Sequence, residues 1–536
     1  MTHSRFRWIV VAILVLTTIA YWPALSAPYY LDDYSLFSDT AMLPGGANRL
    51  LDFARTRTLT YWTFFASFRS GNQNPALDHA VNLMLFLALV ALAASLYRQL
   101  IGVRAALAAT MLFALHPLNS EAVIYVFARA SLLAAVFSVG AWLLWVRKRY
   151  WFAALLAGLA MASKEEAVVL PLFLLAFEIL HRRSPFATIR ALAAPLATMM
   201  IAAAFFALRV IYAARVTPDA GALVGHSVLT PLAYLQAQGH ALWLYARLTV
   251  LPVGLNFDHQ IGSSPGLDPL GAAGLIAIVA LSAACLFWSR REPALFFPLG
   301  ALLLLAPTSS IAPLADIAAE RRTLLPLLCL APAAGILASR IFQERWLAVA
   351  MVVSGMLLAA STYRRAGVWQ DAERLWTNTV EQSPSKARPK LHLARALDER
   401  GAIADPSREK LLREATSVEP DSAGAWGELG LFLLRGQQTE EAVAALQTAY
   451  DLAPDDPSMA ANLGVALAAQ GQLGQAEDLF RRALTLNPCN FDARNNLLFL
   501  FRSAGDLDQA RAVALPPSDC VYPSGQRDAL VRAAGL

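Results

Sequence analysis

The chain has 536 residues, a formal net charge of +5, 57% hydrophobic side chains and only 15% charged ones. Soluble globular domains are nearer one-quarter charged, so one large soluble enzyme is excluded, as are a disordered chain, a collagen-like fibre and a disulfide-dense secreted scaffold. Residues 363–536 hold 19 basic and 23 acidic side chains against 25 and 16 in the remainder, which describes an apolar, basic membrane part followed by a mildly acidic soluble part. No basic run points to nucleic acid.

A spanning helix needs about 20 mostly apolar residues. The first candidate runs from Trp8 to Leu25, behind Arg5 and Arg7. No Ala-x-Ala-like site closes it and further apolar stretches follow, so it reads as a retained first helix rather than a signal peptide. Further spans are predicted at 79–98, 102–118, 121–146, 150–162, 166–181, 191–212, 268–288, 294–309, 322–340 and 345–362, eleven in all. The segment 232–252 carries Gln236, Gln238, His240 and Arg247, which are costly in hydrocarbon, and reads as an interfacial or re-entrant helix. With Arg5 and Arg7 in the cytoplasm, eleven spans put every short basic connector on that side. These are Arg98 with Arg104, Arg147 to Arg149, Arg182 and Arg183 with Arg190, Arg290 with Arg291, and Arg340 with Arg345. The C-terminal part then lies outside the cytoplasm.

The unusual polar residues collect on that outer side. Asp32-Asp33 follow the first span, inside Tyr29 to Tyr34. Adjacent carboxylates repel, so at least one needs a partner or a raised pKa. One of them can act as general base on a hydroxyl, or the pair can be a solvated loop or a helix cap. Next comes His116-Pro117-Leu118-Asn119-Ser120-Glu121, where Asn119 or Ser120 can cap the following helix. Glu121, Tyr125 and Arg129 are four apart, so one helix face is expected to carry all three. Arg129 then lies about 12 Å along the helix from Glu121. At that depth it needs an anion: a lipid phosphate, or the carboxylate of Glu121 or another acid. Ser163-Lys164-Glu165-Glu166 and the stretch from Asp316 to Glu320, Arg321 and Arg322 complete four clusters. Together they describe an outward-facing cleft with acidic and basic walls. An acid to deprotonate an acceptor and cations to hold a leaving phosphate suit glycosyl transfer from a lipid phosphate. There is no Walker loop, Gly-x-Ser-x-Gly elbow or His-Glu-x-x-His, and no histidine has metal-ligand spacing. No metal and no cofactor are predicted, although a divalent ion at Asp32 or Asp33 stays open.

The soluble part repeats. Gly430 and Gly464 are 34 apart, and so are Ala442, Ala476 and Ala510, Ala415, Ala449 and Ala483, and Pro420, Pro454 and Pro488. A period of 34 with small residues at fixed offsets and a closing Pro is the tetratricopeptide signature. Units are predicted at 388–421, 422–455 and 456–489, with a decayed unit from 490 and a half-unit holding Trp369 and Trp376 before them. Such arrays bind peptides or partner proteins, or serve as spacers. Cys285 and Cys329 read as small apolar residues of membrane helices. Cys489 and Cys520 are 31 residues apart, and their pairing, which would hold the tail on the last repeat, is left open.

The pattern resembles the transmembrane and tetratricopeptide-repeat O-mannosyltransferases (the TMTC family) and their bacterial relatives. The matching pieces are Leu31-Asp32-Asp33, His116-Pro117, Glu121-Ala122-Val123, Arg129 to Ala134 and Ser163-Lys164-Glu165. Leu251-Pro252, Leu255 to Asp258, Glu320-Arg321 and Leu325-Pro326 follow in the same order. The resemblance implies an all-α chain: a polytopic bundle with the type C glycosyltransferase fold over 1–362, then an extracytoplasmic repeat solenoid over 363–536. It implies an inverting transferase that moves mannose or another hexose from a polyprenyl-phosphate donor to a hydroxyl, on a protein or glycan acceptor. By the same resemblance Asp32 or Asp33 is the essential acid. Arg129, Lys164 and Arg321 hold the donor phosphate, and His116, Glu121, Glu165 and Glu320 shape that site. Where the family has a Glu-Arg-Tyr-like run, this chain has Glu320-Arg321-Arg322-Thr323. The Ala- and Arg-rich composition points to a bacterial inner membrane, with the repeats in the periplasm. Two rival readings are a non-enzymatic envelope scaffold and a lipid-linked glycan ligase or polymerase. The second would use His226, His240 and His259 of the long stretch 213–267.

Overall fold

The computed structural model describes residues 3–38, 51–53, 55–68, 74–216, 230–262, 268–309, 314–401, 405–515, 517, 520 and 526–533. His226 lies outside them. Among the described residues all regular structure is helical, and the chain divides into two compact units, Met1–Leu375 and Trp376–Leu536.

In the first unit seven helices are long and apolar enough to cross a membrane: Ser4–Ser26, Pro75–Ile101, Val126–Val146, Ala193–Arg215, Pro269–Ser289, Glu320–Ile341 and Glu344–Val368. The pair Val103–Leu115 and Pro117–Ile124, bent by 49°, makes an eighth if taken as one span. The other expected spans are shorter or broken: Tyr150–Ser163 and Pro293–Leu305 are short apolar helices, and 165–181 is divided between 3-10, α and π turns. Trp8, Val15, Ile201, Leu208, Leu270, Phe287, Val352 and Leu357 are all exposed. So much outward apolar surface fits a chain surrounded by lipid tails.

The segment expected at 232–252 is one helix, Pro231–Val250, and its two glutamines face inward while Arg247 is exposed: Gln238 is buried and donates to the Ile317 carbonyl at 3.0 Å. It packs tightly on Pro269–Ser289. A Cβ on Gly239 would meet the Gly271 carbonyl oxygen at 1.9 Å, so only glycine fits.

The second unit is a stack of helix pairs. Ala387–Glu399 pairs with Pro406–Val418, Ala423–Arg435 with Thr439–Leu452, Pro457–Ala469 with Leu473–Leu486, and Phe491–Ser503 with Leu507–Ala514. Small residues set the approach within each pair: a Cβ on Gly430 would strike Leu446, and one on Gly464 would strike Phe480. The period also governs the helix ends. Ser422, Asp456 and Asn490, each 34 residues after the last, cap their helices by accepting from the N–H of Ala425, Ser458 and Ala493. Cys489 and Cys520 are paired. The final helix Gln526–Ala533 packs on the last pair and buries Leu530 in its core.

Candidate active site

The geometry starts from a helix break. The expectation that Glu121, Tyr125 and Arg129 share one helix face is not met. Ser120–Ile124 ends at Tyr125, whose ψ of 116° is extended, and Arg129–Val146 starts anew after a single 3-10 turn. A break inside an apolar bundle frees main-chain groups that water cannot satisfy. Two side chains satisfy them here. Asp33 accepts from the Phe127 N–H at 2.7 Å and from the Tyr30 N–H at 2.9 Å. Asn82 donates to the Tyr125 carbonyl at 3.2 Å.

The break separates the roles of the two aspartates. Asp33 is fully buried with both carboxylate oxygens engaged, whereas Asp32 is exposed. The Asp32 main-chain N–H donates to the Tyr125 hydroxyl at 3.1 Å, and that phenol also neighbours the Asp32 carboxylate. Burial pushes the Asp33 carboxyl up from 3.8 to about 7, offset only in part by the two N–H donors. The folded chain therefore keeps a proton between those values that the unfolded chain has released, so stability falls as pH rises through that window. The unfolding temperature in detergent is expected to drop between about pH 5 and about pH 7 and then level off, with Asp33→Asn flattening the slope. A wild-type slope that survives Asp33→Asn unchanged would assign the proton elsewhere.

Arg129, expected at the donor phosphate, is paired with a carboxylate. It is buried, donating to Asp78 Oδ1 at 2.7 Å, to the Asp78 carbonyl at 3.2 Å and to Asn82 Oδ1 at 3.0 Å, with its guanidinium 4.3 Å from the Phe64 ring centre. Tyr29 and Ser67 donate to the same Asp78 carboxylate, at 2.8 and 2.9 Å. Asp78 and Asn82 stand in no motif of the sequence. Their signal was two polar residues one turn apart at the start of an apolar helix.

Arg321 lies in the cluster above. Its guanidinium pairs with Glu121, and with Asp316 at 2.8 Å, and it sits 5.8 Å from the Tyr125 ring centre. Its N–H also donates to Glu121 Oε2 at 3.0 Å. Glu320, one residue before, accepts from the Asn256 N–H at 2.6 Å and lies 2.9 Å from His259 Nε2. His116 stands at the start of the Pro117–Asn119 turn, which packs on Glu320–Thr323. Its Nε2 lies 3.1 Å from the Thr249 carbonyl, and its Nδ1 accepts from the Leu118 N–H, so it holds the turn.

Lys164 is buried against Glu166 at 2.5 Å and donates to Ser131 at 3.0 Å. Glu165 takes a two-point contact from Arg57, whose guanidinium lies 5.8 Å from the Phe127 ring centre. Arg57 has no motif around it, so nothing in the sequence marked it. A cavity joins this cluster to Arg321. Its lining holds the polar Ser131, Glu166, Arg321 and Arg322 and the apolar Leu170, Leu304, Leu324, Leu325 and Pro326. The structure thus brings Asp32, Tyr125, Glu121 and Arg321 into one run of contacts, with Glu320 next in chain to Arg321, and Lys164 reaches the cavity lining through Ser131 and Glu166. Among the described residues no three carboxylate, imidazole or thiol groups converge as a metal-ligand set would.

The tetratricopeptide-repeat family model matches residues 409–457 and 461–515. The second unit carries tetratricopeptide repeats. Beyond them, most of the chain is similar to curated protein O-mannosyl-transferases. It is 23% identical over 449 residues to one from Caenorhabditis elegans, covering 76% of this chain and 62% of that protein. It is 22% identical over 571 residues to protein O-mannosyl-transferase TMTC3 of Homo sapiens, covering 89% of this chain and 60% of that protein. The chain therefore spans about 60% of the length of the curated relatives it matches. Among solved structures, a thermophilic tetratricopeptide protein of Thermus thermophilus is matched at a TM-score of 0.27 and 21% identity, over 34% of this chain and 95% of that one.

Proposed function

We propose that the chain is a membrane glycosyltransferase that moves a hexose, mannose being the first candidate, from a polyprenyl-phosphate donor to a hydroxyl of a protein acceptor. One observation carries this reading. An exposed carboxylate, Asp32, touches Tyr125, and Tyr125 lies under Arg321 at the polar edge of a cavity with an apolar wall. A base, a cation and apolar surface for the lipid are the three parts that transfer from a lipid phosphate needs. The O-mannosyl-transferase relatives support the same class of reaction.

In the proposed step Asp32 takes the proton from the acceptor hydroxyl as its oxygen bonds to the anomeric carbon. The bond from that carbon to the phosphate oxygen breaks on the opposite face, and its electron pair leaves on the polyprenyl phosphate. One displacement inverts the configuration. Arg321 and Lys164 stabilise the charge that collects on the leaving phosphate. Glu121 and Asp316 aim the Arg321 guanidinium, and Glu166 holds Lys164. Glu320, Glu165 and His116 set the backbone around them. Asp33 and Arg129 act as positioning residues that hold the helix break.

We place this site at the extracytoplasmic face of a bacterial inner membrane, with about eleven crossings, a cytoplasmic N-terminus and the repeats in the periplasm presenting the acceptor. The one-sided basic connectors support this orientation. So does the paired Cys489–Cys520, since such bonds persist in oxidising compartments.

Sugar release by the purified protein from a panel of polyprenyl-phosphate hexoses, with and without periplasmic protein acceptors, tests the reading. Turnover with one donor is expected. Donor binding without turnover would leave the acceptor to be found, whereas neither binding nor turnover with any donor would favour a scaffold.

A further inference from the structure

We propose that Arg322, the second arginine of Glu320-Arg321-Arg322, is the residue that takes hold of the phosphate of an isoprenoid phosphate ester in this cavity. Four of the cations around the site face carboxylates. Arg321 has Glu121 and Asp316, Lys164 has Glu166, Arg57 has Glu165, and Arg129 has Asp78. Arg322 lines the cavity and is only 9% exposed, yet its partners are neutral. It donates to the main-chain carbonyls of Ile317 at 3.2 Å and Asp316 at 2.8 Å, and the Tyr234 hydroxyl neighbours it. Among the described residues no carboxylate lies within ion-pair distance of it.

A nearly buried guanidinium without a counter-anion is costly, and an arriving anion removes that cost. A guanidinium has five N–H donors, so these contacts leave some for a phosphate. Phosphate monoesters and diesters match its planar fork. Among the described residues lining the cavity the acid is Glu166, which Lys164 neutralises at 2.5 Å, so it does not repel the newcomer. Leu170, Leu304, Leu324, Leu325 and Pro326 give the ligand an apolar wall, which selects a phosphate carried on an isoprenoid chain over free phosphate. The proposal rests on the donor reading above and adds the residue that reads the phosphate.

The test compares binding of farnesyl phosphate, farnesol, inorganic phosphate and phosphatidylglycerol to the full chain in detergent. Wild type is expected to prefer farnesyl phosphate to all three. Arg322→Gln is expected to weaken farnesyl phosphate about tenfold or more while leaving farnesol unchanged, which also shows that the variant is folded. Should that variant not fold, Arg322→Lys keeps the charge but loses the fork, and is expected to weaken farnesyl phosphate alone by about threefold or more. Wild-type affinity for farnesyl phosphate in the folded variant overturns the assignment. Equal binding of inorganic phosphate or phosphatidylglycerol by wild type overturns the isoprenoid part. Wild type that binds no farnesyl phosphate brings down the donor reading as well, which separates that failure from the others.

Discussion

Asp32→Asn is expected to lower sugar transfer by about 10²- to 10⁴-fold, the range that a positioned general base supplies, with donor affinity and unfolding temperature close to wild type. Asp32 is exposed, its main-chain N–H contact to Tyr125 survives the substitution, and an amide oxygen can still accept from the Tyr125 hydroxyl. Asp33→Asn is expected to behave differently. Asp33 accepts from two main-chain N–H groups, and an amide oxygen replaces only one of its two acceptors, so one of Tyr30 and Phe127 loses its partner. The cost of an unsatisfied buried donor is about 1–3 kcal/mol, set against relief of the buried charge. Activity should then fall only through misplacement of the loop. Transfer measured for both variants beside their thermal unfolding separates the roles. Full turnover in Asp32→Asn would move the base elsewhere, with Glu121 and Glu165 the next acids to test.

The second large effect is on stability. Arg129→Met should leave Asp78 as a buried carboxylate with only the Tyr29 and Ser67 hydroxyls for partners. Breaking such a pair from one side costs about 3–5 kcal/mol, and the double variant Arg129→Met with Asp78→Leu is expected to regain much of it. Thermal unfolding in detergent reads both. A direct phosphate ligand would behave in the opposite way: Arg129→Met would spare stability and weaken donor binding. That outcome would return Arg129 to the cavity and imply that the pair with Asp78 opens on donor binding.

Several parts of this molecule are legible in its residues alone. The apolar stretches mark most helices of the first unit, because a run of about 20 apolar residues has few alternatives to a helix. The 34-residue period marks the repeats, because the helices of a pair approach closely only where residues such as Gly430 and Gly464 leave room. The clusters around Asp32, Glu121, Lys164 and Arg321 are visible as ionisable residues in otherwise apolar sequence, where each needs a reason to be present.

The partner of each charge comes from the fold. Spacing of four placed Glu121 and Arg129 on one face, but the break at Tyr125 moved them to different helices and sent Glu121 to Arg321, 200 residues away. Arg129 met Asp78 instead, and Asp33 rather than Asp32 went inside. Local spacing determines what a helix can bring together only while the helix continues. Ion pairs between distant segments depend on which main-chain groups a break leaves unsatisfied and which side chains the packing delivers to them. Run length and period are enough to place helices, repeats and the charged residues along the chain; the fold chooses which charges neutralise one another and leaves Arg322 at the cavity with neutral partners.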